Sequence, residues 1–257
     1  MHMKRCLILL LALVAAAAPA GAYELVNKAH PRLIMDDEAF AGLRTEIEKG
    51  ENNALVMMHE SCLSLADQYG LDTLQLCNTK DASNMRILHW SRKALMRIFT
   101  AAYAYRYTGE ERYLMHAEAD IVRVCSFPDW NPSHFLDVDE MAAAVALGYD
   151  WLYHDLKPET RSLVVESLRS KAFAPAADSR QAWFYRKGTN WNQVCNGGLV
   201  CAALATFESN ESISRRVIDD ALRTNPLAMS ASYAPDGNYT EGPSYWEYGT
   251  SYQVLML

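Results

Sequence analysis

Three segments of the chain carry more groups able to stack on, hydrogen-bond or protonate a ligand than a helical scaffold needs. The first is Asp129-Trp130-Asn131-Pro132-Ser133-His134-Phe135-Leu136-Asp137, running into Asp139-Glu140. The second spans Trp183 to Gly198 and contains Arg186-Lys187, Asn190-Trp191-Asn192-Gln193 and Cys195-Asn196-Gly197. The third, Pro235 to Tyr252, contains Glu241-Gly242-Pro243-Ser244-Tyr245-Trp246-Glu247-Tyr248-Gly249. Each sets aromatic rings beside amides or charges at the junction of a loop and a helix. That mixture suits a sugar, whose ring faces stack on Trp and Tyr and whose hydroxyls need polar partners. For any one segment the plainer reading is that Trp and Tyr plug the ends of helical hairpins. Three such segments in one chain favour a ligand site.

The elements that must position them are helical nearly throughout. Asp36 or Asp37 caps a helix through about Lys49, with Phe40, Leu43 and Ile47 on one stripe. The pattern then predicts helices from about Asn52 to Tyr69, Arg86 to Tyr107, Glu110 to Cys125, Val138 to Leu156, Glu159 to Phe173, Asn192 to Phe207 and Asn210 to Thr224, with residues 126–137 and 178–190 as loops. Tight turns at Gly109, Pro158 and Asn210 recur about every 50 residues, each inside a helix pair, which is the signature of a helical repeat. Of the two repeat forms, a solenoid and a closed ring, the ring is favoured because the long polar-aromatic loops recur at one end of the pairs. The expected fold class is therefore all-α, an (α/α) toroid. The apolar run from Tyr252 to Leu257 has no cap or polar exit, so an incomplete toroid is expected, continuing beyond it.

Composition narrows the function classes. Half of the 257 residues are hydrophobic and 21% are charged, as in a globular protein. Lys4-Arg5, the apolar run from Cys6 to Ala18 and Ala20-Gly21-Ala22 form a secretory signal peptide over residues 1–22, leaving a mature domain at 23–257 and a secreted or periplasmic, bacterial location. No run is long enough for a membrane span. The 24 Lys and Arg against 31 Asp and Glu give −7; without Lys4 and Arg5, 22 basic against 31 acidic residues give −9. Such a surface does not attract nucleic acid, and it holds a polyanion only through a local basic cluster. The five cysteines left after the leader (Cys62, Cys77, Cys125, Cys195 and Cys201) are odd in number and irregular in spacing, so buried free thiols are expected ahead of a bridge. No metal-ligand spacing is present.

These segments, with His30-Pro31-Arg32-Leu33-Ile34-Met35, the GYDWLY run at 148–153, NWNQVCNGG at 190–198 and EGPSYWEYG at 241–249, resemble the N-terminal toroid of the heparinase II/III family of polysaccharide lyases. The resemblance covers the mature chain almost end to end. It implies a C-terminal β-sandwich beyond this sequence, where a structural metal is possible, no cofactor for the toroid, and an acidic polysaccharide or oligosaccharide as partner. Its activity would be β-elimination on uronate glycans such as heparin, heparan sulfate or alginate.

That chemistry asks for particular groups. Removing the proton α to a uronate carboxylate requires the carboxylate to be neutralised first, by an amide or by a protonated His or Glu. A Tyr can then take the proton, provided a cation lowers its pKa or the proton is relayed. Carried across by the resemblance, Tyr248 is the catalytic tyrosine, with Tyr252 in reserve. Asn192 or Asn196, spaced i and i+4, is the neutralising amide, and Glu241 orients the site. Some relatives have a His near this Asn; Cys195-Asn196-Gly197 has none. A further His used by the family would lie later in the chain. Trp130, His134, Arg186, Lys187, Asn190, Trp191, Tyr245, Trp246 and Tyr252 are expected to bind substrate, although Arg186-Lys187 also reads as a solvated loop pair and His134 as a structural cap. Two rivals remain. A glycoside hydrolase on the same toroid would draw its two carboxylates from Asp137, Asp139, Asp236 and Glu241, and a glycan-binding protein would keep the cleft without the chemistry.

Overall fold

The computed structural model describes residues 24–233 and 235–257; the leader expected at 1–22 lies outside the described residues. Those residues form ten α-helices and no strand: α1 (Asp37–Lys49), α2 (Asn53–Leu71), α3 (Leu88–Thr108), α4 (Glu111–Cys125), α5 (Phe135–Trp151), α6 (Pro158–Leu168), α7 (Ala174–Ala177), α8 (Asn190–Ala205), α9 (Glu211–Tyr233) and α10 (Pro243–Met256). A π-helical turn, Arg169–Phe173, joins α6 to α7, and a 3₁₀ turn, Trp183–Arg186, precedes α8. None of the helices is long and apolar enough to cross a membrane.

Helix ends obey local chemistry where the sequence supplies it. The Asp36 carboxylate accepts from Ala39 N (2.9 Å), and Asn52 Oδ1 accepts from Leu55 N (3.2 Å), so each satisfies an otherwise orphaned donor at the start of α1 or α2. Gly109 ends α3 at φ 74°, a left-handed value that glycine adopts without a Cβ penalty. Pro158 opens α6, where its missing N–H costs nothing.

Helices α3, α5, α8 and α10 lie side by side in that order, while α4, α6 and α9 return the chain alongside them. The register makes the four parallel. Ser91 and Arg92, near the start of α3, meet Asp137 and Glu140 near the start of α5, and Tyr248 of α10 meets Glu140. Four N-terminal halves therefore gather at one end. The row packs closely because small residues sit at its contacts: a Cβ on Gly148 would lie 2.4 Å from Ile98 Cγ2 of α3, and one on Gly198 2.3 Å from the Asp139 carbonyl of α5. All seventeen residues of α5 are buried, as are fourteen of the sixteen in α8, so both read as core rather than as surface helices.

Three boundaries depart from the sequence reading. Helix α5 ends at Trp151 rather than Leu156, where the chain leaves the helix in a turn closed by Leu156 N on the Leu152 carbonyl (2.8 Å). Helix α5 begins at Phe135 instead of Val138, because Asn131, at φ 56°, turns the chain so that His134 and Asp137 N–H groups close onto Asn131 and His134 carbonyls (2.9 Å each). Helix α9 runs through Pro226 to Tyr233 rather than ending near Thr224. Proline there deprives the Leu222 carbonyl of its donor and costs about 3 kcal/mol. Leu222 is exposed, and the turns that follow bury Ala228 and Ser232. Asn225 and Gln253 exchange two hydrogen bonds (2.8 and 3.1 Å) that bind α9 to α10.

Candidate functional site

A helix with no polar face that nonetheless carries four carboxylates must account for each one, because burying an unpaired charge is costly. Asp150 accepts from Arg32 N (2.8 Å), Leu33 N (2.7 Å) and the His30 ring (2.6 Å), anchoring the residues before α1. Asp137 accepts from Ile87 N (2.7 Å) and Asn131 Nδ2 (2.6 Å), and pairs with His134 Nδ1 (2.7 Å), which ties the first loop to the start of α3. Asp139 is fully buried and neither of its oxygens has a hydrogen-bond partner. Burial, only partly opposed by the neighbouring Cys195 thiol and reinforced by the Glu140 and Asp137 charges, pushes its pKa far up and favours the neutral acid.

Glu140 is the fourth, and it faces a cleft. Its side chain is 2% exposed, accepts a hydrogen bond from the Tyr248 hydroxyl, and receives Arg92 Nε at 3.1 Å on each oxygen. The Arg92 guanidinium stands 5.0 Å from the centre of the Tyr248 ring. Burial raises the pKa of Glu140, opposed by the bonds from Tyr248 and Arg92. Burial and the Glu140 carboxylate together raise that of Tyr248 far above the ordinary phenol range. The phenol therefore keeps its proton, hydrogen-bonded to Glu140. The cleft beside them, about 480 Å³, is lined by Arg86 and Arg92, Leu136 at the start of α5, and Ser244, Tyr245 and Tyr248 of α10.

No protein-family profile matches this chain, and no characterised protein is significantly similar to it. The site thus stands on its own geometry.

Of the residues singled out by sequence, Tyr248 and Tyr245 line this cleft, Tyr245 half exposed. The amides do not. Asn192 and Asn196 are fully buried: Asn192 Nδ2 reaches the Phe184, Tyr185 and Thr224 carbonyls at 3.3–3.4 Å, and Asn196 Nδ2 donates to Asn192 Oδ1 (2.9 Å). Helix α8 needs them to hold the 3₁₀ turn and α9, which takes both out of reach of a ligand. Glu241 is likewise structural. Its carboxylate accepts from Asn190 N (2.7 Å) and Nδ2 (2.8 Å), capping α8 from 51 residues away in place of Thr189, which makes no side-chain cap. Asn190 itself is 2% exposed.

Trp130 is corrected from a stacking platform to a core residue, with no exposed surface and its indole N–H spent on the Val124 carbonyl (2.9 Å). Tyr252 turns inward, 7% exposed, its hydroxyl unpartnered beneath Tyr248, with ring centroids 5.7 Å apart. His134, Trp191 and Trp183 form a separate aromatic cluster, His134 edge-on to Trp191 at 5.0 Å and Trp183 against Trp191 at 4.5 Å. Lys187 lies over Trp183 (5.4 Å), and Arg186 and Trp246 are exposed outside the cleft lining. No residue of the segment 183–196 lines the cleft that α10 borders. Of the hydrolase candidates, Asp137 and Asp139 have no exposed surface and Glu241 is occupied, while Asp236 is exposed and accepts from Asn238 N (3.0 Å) outside the cleft lining.

Sequence reasoning missed Arg86 and Arg92 and passed over Glu140. One signal was available. Phe135 to Trp151 reads as a wholly buried helix, and an acid inside such a helix must find a basic or protonated partner. Among the described residues no group of three or more His, Cys, Asp or Glu is arranged to hold a metal ion.

Proposed function

We propose that this chain is a secreted or periplasmic polysaccharide lyase that cleaves a uronate glycan by β-elimination, on an arc of an (α/α) toroid. The parallel row of α3, α5, α8 and α10 backed by returning helices supports the toroid, and the leader at 1–22 supports export. The observation that carries the chemistry is Tyr248 hydrogen-bonded to the buried Glu140 at the wall of a cleft bearing two guanidiniums.

In this reading a guanidinium in the cleft, rather than Asn192 or Asn196, neutralises the uronate carboxylate and so acidifies the proton at C5. Tyr248 takes that proton as its own passes to Glu140. The electron pair forms the C4–C5 double bond, and the C4–O bond breaks. Tyr248 then gives a proton to the departing oxygen while Glu140 returns the one it holds. A carboxyl whose pKa burial has raised is the better acceptor for this relay, because proton transfer is most efficient between groups of similar basicity.

Tyr248→Phe keeps the ring over Arg92 and removes the atom that moves the proton; Glu140→Gln keeps an acceptor for the hydroxyl and removes the proton store. Each should lower kcat by about 10²–10⁴-fold with little change in KM. The double variant should be scarcely worse than either, since the two act as one unit. Ultraviolet absorbance of the unsaturated product measures this and separates elimination from hydrolysis. Turnover like the unmodified protein's in Tyr248→Phe refutes the assignment, and glycan binding with no turnover by the unmodified protein favours a binding protein.

A further inference from the structure

We infer that Arg86 selects the substrate by charge: the cleft accepts an unsulfated uronate glycan, one carboxylate at a time, and rejects sulfated chains. The inference rests on the lyase reading for the bond that is cut, but its charge argument stands on the cleft alone. Four acidic or basic side chains border or underlie that cleft: Arg86, Arg92, Glu247 and, beneath them, Glu140. Arg92 sets its charge against the buried Glu140 carboxylate, its Nε 3.1 Å from each oxygen. Glu247 makes no side-chain hydrogen bond or ion pair among the described residues, so its negative charge stays in the cleft. Arg86 is the lining cation whose charge no carboxylate balances among the described residues. Its backbone is pinned, with N–H to Asp81 Oδ1 (3.4 Å) and carbonyl to Asp81 N (2.8 Å), while its guanidinium has no partner among the described residues.

Two guanidiniums against two carboxylates make a nearly neutral cleft in a chain of net charge −7. One substrate carboxylate can be met there by the planar fork of Arg86. A sulfated repeat brings further fixed negative charges that would find no second unpaired cation among the lining side chains and would face Glu247. Arg186 and Lys187, the other cations singled out by sequence, lie outside the cleft lining and cannot supply them.

The full chain should be assayed at one fixed ionic strength on three probes: an unsulfated glycan alternating uronate with neutral sugar, an unsulfated polyuronate, and a sulfated uronate glycan. Product formation is followed with the active protein and binding by calorimetry with Tyr248→Phe. The unsulfated alternating glycan should be preferred over the sulfated one by about 10²-fold or more in kcat/KM, with the polyuronate between them. Arg86→Gln, at an exposed site and so not expected to disturb folding, should raise KM on the preferred glycan about 10- to 100-fold, the range for losing a charged hydrogen bond. Glu247→Gln should improve binding of the sulfated probe. Equal or better turnover or binding of the sulfated glycan overturns the inference while leaving the lyase reading intact, as does an Arg86→Gln protein with unchanged KM and affinity. Absence of unsaturated product from every probe refutes the lyase reading, and the binding arm with Tyr248→Phe then decides the charge selection by itself.

Discussion

Replacing Gly198 with Ala tests whether the close approach of α5 and α8 is what assembles the site. A Cβ built there lies 2.3 Å from the Asp139 carbonyl oxygen, 2.8 Å from its carbon and 2.9 Å from the Asp139 Cβ, where ordinary contact begins at 3.4 Å. None of the three atoms can swing away by changing a rotamer, so the helices must part by about 1 Å, a shift that also loosens neighbouring core contacts. Overpacking of this kind costs about 1–3 kcal/mol, and a clash on backbone atoms belongs at the top of that range. Ala gains about 1 kcal/mol over Gly within a helix, which leaves a net loss of about 2 kcal/mol. In a domain of this size the loss lowers Tm by about 4–8 °C. Gly42 in α1 is the control: it is exposed and nothing lies within 4 Å of its Cβ position, so Gly42→Ala should gain up to about 1 kcal/mol. Circular dichroism with heat and with denaturant measures both variants. Because Asp139 adjoins Glu140, turnover of Gly198→Ala should fall as well. A Gly198→Ala protein as stable as the unmodified one, or as stable as Gly42→Ala, would show that the helices are not held at this distance and that the argument is wrong.

The other expectations concern the buried acids and the loop before α10. Asp139 has a raised pKa in the folded chain, so above the usual carboxylate range the unfolded chain releases a proton that the native one keeps, and stability falls as pH rises through that window. Asp139→Asn should flatten this decline, whose slope is at most about 1.4 kcal/mol per pH unit for one proton; an unchanged stability–pH curve contradicts a protonated Asp139. Removing the cap with Glu241→Ala should cost about 1–2 kcal/mol and shift the denaturation midpoint. If Glu241 instead acted on substrate, the same variant would lose turnover without losing stability.

The helical class, the repeated hairpins and most helix limits were legible from sequence, because they depend on apolar spacing at 3.6 residues and on caps such as Asp36, Asn52, Gly109 and Pro158, all chemistry within a few residues. Tyr248 was singled out by the resemblance of the EGPSYWEYG run, and it lines the cleft. What sequence could not decide is which polar residue faces the cleft and which faces the core. Trp130, Asn192 and Asn196 have the residue types of a sugar site, yet a carbonyl of α4, a 3₁₀ turn and a neighbouring helix claim their hydrogen bonds. Glu241 stands in a motif-like run and serves a helix terminus 51 residues away. Arg92, Glu140 and Tyr248, separated by 48 and 108 residues, meet only because α3, α5 and α10 lie parallel with their N-terminal halves level. That alignment is set by contacts such as Gly148 on Ile98 and Gly198 on Asp139, where the absence of a Cβ on one helix matters only once the other helix is in place.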